Sequence, residues 1–490
     1  MPEADRVRLA ARVQADYDGY GYAPLLADDL RAVAGLAADV SAGAASSNAA
    51  VAAANADRIA AAGSAAAAAA TVSAVANRTV GRSINDTAAW SFTRSTRAWG
   101  YNSAGSLADV AVDAPLWAFD PNVLTPHGMS FTGARTNLIR NPRCEGATAG
   151  IVGSGGAVPT NWGFTNFVNS VCTVIGAGTE LGVPYVEVRF DLTGAGNCQL
   201  HFETTTGAPA VGLTTYFGAL HLRMVAGATT NFTNLLHTIR VDAVTAQNGA
   251  NFSFAGVTSA ALKSQRYVCS HTTLADATFA RNRITLTSSA TATITLRIGM
   301  PDMQAGPFVG PIILPTVAAP GASTRAQGLA NIPVADLGTR WNYRSGVIIA
   351  DWSSAPGAFT STADADWFGI CSWGDLTANE RMGIVVNPAH TSVEARITQG
   401  GAAGTASVVS ISAPAAGSTI RTAIAWDRDF SFLQVAARGT AGTKVALGSL
   451  PLPGWIMPGR YATSHPLFGG MSGLEIRPAA LFDAALAALT

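Results

Sequence analysis

The sequence predicts a mainly β protein: an N-terminal alanine-rich helical stalk (a coiled coil), then two antiparallel β-sandwich or jelly-roll domains. Three observations carry this reading. Residues 25–80 are nearly half alanine, the residue of highest helix propensity. Beyond Phe131 the chain alternates apolar and polar residues in stretch after stretch. Charged residues make up only 13% of the 490, and Gly, Thr, Ser and Asn fill the breaks between strands.

Residues 1–24 form a short charged segment that ends in a Gly-Tyr cluster and Pro24, which stop any helix. This is a candidate anchor segment, or else a frayed terminus. Residues 25–87 form the stalk. Leu26, Leu30, Val33, Ala37, Val40, Ala44, Ser47, Val51 and Ala54 follow alternating steps of four and three, a heptad seam. Arg58 falls at the next core position, and a second phase starts at Ile59, a discontinuity in the heptads. One such helix has too little apolar surface to fold alone, so it must bundle, and a homotrimer suits it. The alternative is a flexible low-complexity linker.

Residues 88–130 read as a collar or connector, with Phe92, Trp99, Trp117 and Phe119 as its core. Residues 131–316 read as the first β-sandwich. In Pro184-Tyr-Val-Glu-Val-Arg-Phe-Asp191, Val186, Val188 and Phe190 share one face, while Glu187 and Arg189 take the other. In Thr293-Ile-Thr-Leu-Arg-Ile298, Ile294, Leu296 and Ile298 alternate with Thr295 and Arg297. Residues 317–335 are rich in Pro, Ala and Gly and read as a linker. Residues 336–490 form the second β-domain and end in a short apolar helix at 480–490.

Two stretches then carry a resemblance. Phe131-Thr-Gly-Ala-Arg-Thr-Asn-Leu-Ile-Arg-Asn-Pro142 is similar to the opening, and Gly299-Met-Pro-Asp-Met-Gln-Ala-Gly-Pro-Phe308 with Leu314-Pro-Thr316 to the closing, of a β-sandwich module of phage and gene-transfer-agent fibre and spike proteins. Gln304 stands about where that family often has Glu. The flanks Ser91-Phe-Thr-Arg94, Phe119-Asp-Pro121 and Ser323-Thr-Arg325 fit as well. From Arg340-Trp-Asn-Tyr343 through Ile420-Arg-Thr-Ala-Ile-Ala-Trp-Asp427 to the terminal helix, the chain resembles a concanavalin A-like jelly roll, with Val347 in place of the usual Thr. The resemblance implies a carbohydrate-binding adhesin on the surface of a virion or gene-transfer particle. It implies host surface (capsular) polysaccharide as one partner, and a capsid or tail protein, reached through the N-terminus, as another.

Acidic and basic residues balance at 31 each, so the chain has no electrostatic footprint for nucleic acid or an anionic membrane. The run 59–76 is mostly alanine, which gains little from lipid, so no membrane insertion is expected. The opening Met1-Pro-Glu-Ala-Asp-Arg6 is not the start of a signal peptide. Cys144, Cys172, Cys198, Cys269 and Cys371 are scattered and odd in number, and they read as buried reduced thiols in a protein made in a bacterial cytoplasm. No nucleophile elbow, P-loop or zinc-protease motif is present, so no cofactor is expected.

A sugar site needs flat aromatic faces with amides and carboxylates around them. In the first sandwich the candidates are Asn161, Trp162, Asn166 and Phe167; the alternative for Trp162 is a core plug. In the second, Asp364, Asp366 and Asp375 cluster around Trp367 and Trp373. They could form a sugar or calcium site, an active site, or a turn-rich loop with core tryptophans. Glutamate is scarce after residue 100, and no pair of carboxylates stands out for glycan cleavage, so no enzyme is expected. The expected function is a fibre or spike adhesin. The alternatives are a tailspike-type glycan depolymerase and a purely structural spike.

Overall fold

In a computed structural model, the described residues are 91–490, apart from 125, 205–206, 243–246, 307, 316–321, 355–367, 377–378, 413–417, 448–449, 452–453, 462–465, 468 and 479. The anchor and the stalk lie outside them.

The described chain is mainly β and antiparallel, and it builds two sandwiches, one inserted into the other. The outer sandwich takes strands from both ends of the described chain. One of its sheets runs Ser91–Thr93, Leu329–Pro333, Trp455–Pro458, Phe368–Gly374, Arg381–Val386, Ser392–Gln399, Ala402–Ser410. The other runs Thr440–Ala441, Phe432–Ala437, Thr419–Asp427, Ser345–Ser354, Gly469–Arg477, Pro126–Phe131, Trp117–Phe119. The core between them includes Trp352, Trp373 and Trp426, and it also takes Met129, Phe131 and Phe308.

This corrects two boundaries drawn from the sequence. The expected collar contributes strands to both sheets of the C-terminal sandwich, and Phe92 and Trp117 pack on its core. Its remaining piece is the hairpin Ala98–Tyr101 with Leu107–Val110. That hairpin packs Trp99, Tyr101 and Leu107 against Val183, Leu262 and Met300 at the base of the inserted sandwich. The expected linker holds two strands: Ser323–Arg325 pairs with Arg135–Asn137, and Leu329–Pro333 lies inside a sheet. Composition misled here because strands of three and five residues need few large side chains.

The inserted sandwich is organised by one long hairpin. Gly163–Glu180 and Val183–His201 pair on both sides of a break at 193–196. Leu181 and Gly182 join them with φ of 50° and 81°, the double left-handed geometry of a tight hairpin turn. Gly182 is also required by space, since a Cβ there would meet the Leu107 carbonyl oxygen at 2.1 Å. On its other edge Val183–His201 changes partner. Residues 185–192 pair with Ala292–Ala305, and residues 196–201 pair with Phe279–Ser288. The register shifts between Leu192 and Asn197, across Thr193-Gly-Ala-Gly196, and this strand joins two halves of one twelve-stranded sheet, a first sheet on its 185–192 side and a second on its 196–201 side. The first sheet continues through Thr215–Gly227 to Arg266–Thr272, and the second through Asn234–Asp242.

The alternation read from the sequence is what packs this core. Val186, Val188, Phe190, Ile294, Leu296 and Ile298 are fully buried. Each such side chain contributes about 1.5–3 kcal/mol by leaving water. All five cysteines are buried and free. The end of the chain is helical only over Ala484–Ala487, where Leu486 packs on the outward residues Val347, Ile349, Ala423, Ala425 and Ala436 of the outer sandwich. Val347 thus stands under a helix, where a Thr hydroxyl would need a partner.

The stem of the insertion is held by Asn137, which is 1% exposed. Its Oδ1 accepts from the Ile139 and Met303 amides at 3.0 and 3.1 Å. Its Nδ2 donates to the Pro301 and Ile313 carbonyls at 3.3 and 3.2 Å. All four valences of the amide are therefore used. Replacing Asn137 by Leu should destabilise the chain by about 3 kcal/mol or more, because several buried backbone groups lose their partners at once. Chemical denaturation checks this, and a loss below about 1 kcal/mol would mean that the stem relaxes around the change.

Candidate functional site

The outward face of the second sheet holds a concentrated polar array. Strand alternation places Thr165, Gln199, His201, Thr238, Arg240, Arg281, Arg283 and Thr285 away from the core. Cross-strand register sets them in rows. Thr165, Gln199, Thr285 and Leu236 form one row; His201, Arg283 and Thr238 form the next; Arg281, Arg240 and Asn248 form a third.

Arg283, 6% exposed and flanked by His201 and Thr238 at 1% and 2%, is the buried centre of the array, and Asn248 is exposed at its edge. Arg283 Nη1 donates to Gln199 Oε1 and Nη2 to Asn248 Oδ1, both at 2.8 Å, and Nε donates to Thr238 Oγ1 at 3.3 Å. All three acceptors are neutral, so they orient the guanidinium without cancelling its charge. Burial, then the neighbouring Arg240 and Arg281, bring its pKa down to about 10, and it stays a cation at neutral pH. Asp242 is shared by Arg240 and Arg281. Three guanidinium groups thus face one carboxylate. His201 Nε2 lies 3.2 Å from Thr165 Oγ1, and burial, then the three arginines, lower its pKa to about 4, so the ring is neutral.

The outward face of the first sheet differs. Glu180 pairs with Arg223 and Arg297, Glu187 with Arg297, and Asp191 with Arg189, at 2.7–2.9 Å. Charge there is balanced and internally paired, the solvated face expected for Glu187.

Of the expected site residues, the structure brings two to the edge of the array. Asn166 is exposed and accepts from the Ser170 hydroxyl at 2.6 Å. Phe167 is 52% exposed and is the extra residue of a bulge opposite Asn197 and Cys198. A bulge re-aims a side chain away from the regular ladder. Asn161 is half-buried in a left-handed turn just before, with φ of 68°.

Burial corrects the reading of two tryptophans as sugar platforms. Trp162 is 6% exposed, lies edge-on to Phe202 at 4.9 Å, and donates its Nε1–H to the Asn141 carbonyl at 3.1 Å. Trp373 is 1% exposed, with Trp426 at 4.8 Å and Trp341 at 6.0 Å. Neither ring offers a face to a ligand. Asp375 is exposed at the end of the Trp373 strand; Asp364, Asp366 and Trp367 lie outside the described residues. Among the described residues no group of three or more His, Cys, Asp and Glu comes together to hold a metal.

The array itself was missed from the sequence. A signal existed in Arg281 and Arg283, two apart and so on one face of a strand, and again in Arg240 and Asp242. Their convergence with Gln199 and Asn248 needs the strand register.

No family model matches the chain, and no curated protein matches it. Among solved structures, the CBM40 of the Ruminococcus gnavus IT-sialidase bound to α2,3 sialyllactose is 13% identical, covering 30% of this chain and 83% of its own, with a TM-score of 0.25. A heptameric SAP-like pentraxin from Limulus polyphemus is 12% identical over 30% of this chain and 69% of its own, with a TM-score of 0.23. The CBM22-1–CBM22-2 tandem of Paenibacillus barcinonensis Xyn10C is 9% identical over 71% of this chain and 98% of its own, with a TM-score of 0.21. Likenesses this weak assign neither family nor ligand.

Two outcomes are expected. Trp162→Ala should cost about 3–5 kcal/mol of stability, as a core tryptophan does, and thermal and chemical denaturation check this. Stability should also fall in mild acid. His201, His221 and His237 have folded values lowered to about 4, 3 and 3, by burial first. Their contribution is complete above the unfolded value of about 6.5 and is lost as pH falls toward 4. Asp302, raised by burial to about 7, works in the opposite sense, since its contribution is complete only below its unfolded value and is lost as pH rises through 7. It offsets one of the three histidines. The denaturation midpoint should therefore drop between pH 6.5 and 4, and a flat profile would contradict the burial of these rings.

Proposed function

We propose that this chain is a glycan-binding adhesin of a phage or gene-transfer particle, working as a homotrimeric fibre or spike held to the capsid or tail by its N-terminus. The outward face of the second sheet of the inserted sandwich binds host capsular polysaccharide and does not cut it. The observation that carries this is the Arg283 array: a guanidinium fixed by three neutral oxygens, flanked by amides and hydroxyls, on a surface with one carboxylate for three cations. Such a surface matches the hydroxyls and oxyanions of a polysaccharide. The similarity of 131–142 and 299–316 to fibre and spike modules supports the setting.

Cleavage would need a pair of carboxylates with one kept protonated. Asp302 has a raised value near neutrality, but it sits beside a void of about 10 Å³, with Arg266 at 3.6 Å and Gln304 bonded to it. A sugar ring does not fit there.

Binding of the full chain to encapsulated cells and to cells stripped of capsule tests the reading. The expected result is capsule-dependent binding with no release of reducing ends. Asn248→Ala should weaken binding by about tenfold or more, equivalent to about 1.4 kcal/mol, with a melting temperature close to that of the parent; Arg283→Gln should weaken it at least as much and also lower the melting temperature, since a buried side chain loses three hydrogen bonds. Equal binding to both cell types would favour the purely structural spike, and steady release of reducing ends would favour the depolymerase.

A further inference from the structure

The row beyond Arg281, Arg240 and Asn248 on the Arg283 face carries an aromatic ring. Phe279 lies directly opposite Asp242 on one side and Pro209 on the other. It stands two residues before Arg281 in its strand, so alternation puts it on the same outward face, diagonal to Arg240. Such diagonal neighbours lie about 7–8 Å apart, within reach of long and aromatic side chains. Phe279 is 39% exposed, and among the described residues no ring or cation stacks on it. Of the three guanidinium groups, that of Arg240 is the most open, with its side chain 34% exposed. Its Nε donates to Asp242 Oδ1 at 3.2 Å, while Nη1 and Nη2 have no acceptor among the described residues and are not buried. Asn248 stands opposite Arg240 and is exposed; its Oδ1 is taken by Arg283, and its Nδ2 is left to donate.

We propose that this corner of the face is the subsite for a carboxylate-bearing pyranose, with the sugar ring against Phe279 and its carboxylate on Nη1 and Nη2 of Arg240. The inference rests on the reading that this face binds glycan, and it adds that the glycan is acidic. The planar fork of arginine matches a carboxylate with two parallel hydrogen bonds. Asp242 holds that fork by its inner nitrogen and leaves the outer two to the ligand. The ring of Phe279 supplies an apolar surface for the apolar side of a pyranose, and Asn248 Nδ2 supplies a donor for its hydroxyls. Charge sets the sign of the ligand. Arg240 and Arg281 share the single carboxylate of Asp242, so one positive charge is left at the surface, the match of a monoanion. The neighbouring guanidinium groups, after burial, also lower the pKa values of Arg283 and His201, the mark of mutual repulsion that an anion on Arg240 would relieve.

The test is calorimetric titration of the full chain with purified polysaccharide from the encapsulated cells, in its native form and with its carboxylates reduced to alcohols. The native form should bind, and the reduced form should bind more weakly by about tenfold or more. Arg240→Gln should weaken binding of the native form by about tenfold and close most of the gap between the two forms, since the lost contact is the one to the carboxylate. Phe279→Ala should weaken both forms alike, since both present the same ring. Arg189→Gln, on the outward face of the first sheet, should change neither. All three side chains are partly or largely exposed, so melting temperatures should stay close to that of the parent. If the reduced form binds as well as the native one, or if Arg240→Gln leaves the gap between them intact, the subsite is wrong while the glycan reading of the face stands. If neither form binds, both fall.

Discussion

The architecture rests on one buried amide. Asn137 ties the strand that leaves the outer sandwich to the two segments that return to it, through Ile139 on one side and Pro301, Met303 and Ile313 on the other. No other side-chain amide has two acceptor and two donor sites at this reach, and an aspartate would present only acceptors to the two carbonyls. The neighbouring motif residues do related work. Arg140 donates to Glu203, whose side chain is fully buried, and Asn141 donates to the carbonyls of Glu145 and Thr160. The stretch from Arg135 to Pro142 is therefore hardware for closing a domain.

That closure has consequences on both sides. Because the two ends of the insertion are pinned together, residues 91–131 and 323–490 can complete the same pair of sheets across nearly two hundred residues of intervening chain. Phe308 can then join Phe368 in the outer core at 6.5 Å, with the Arg135 guanidinium over its ring at 4.9 Å. The stem thus carries a cation and an aromatic from opposite ends of the insertion in direct contact.

What was legible in the sequence follows from range. Alternation is a local signal, and it located the buried faces at 186–190 and 294–298 correctly. The motif around Asn137 was legible only as a strand opening, because three of the four hydrogen bonds of its amide go to residues 301, 303 and 313. The fusion of the expected collar with the last domain was not legible, since Pro126–Phe131 pairs with Gly469–Arg477 some 340 positions away. The sugar-site candidates erred for a chemical reason. Tryptophan was weighed for its face, but an indole whose N–H has a buried carbonyl to satisfy it, as Trp162 has in Asn141, is stable in a core.

The two outward faces of the inserted sandwich differ in what their arginines are given as partners. On the first sheet each guanidinium meets a carboxylate, so orientation and neutralisation come together and little field is left for a ligand. On the second, Gln199, Asn248 and Thr238 hold Arg283 in place with dipoles only, and Asp242 is divided between two arginines. Keeping His201 neutral beside them limits the mutual repulsion that a fourth cation would add. An arginine oriented by neutral acceptors has already lost its side-chain entropy but not its charge, so a ligand oxyanion or hydroxyl arriving there meets a donor that need not reorganise. This difference in partners, rather than any difference in exposed aromatic area, is what separates the two faces.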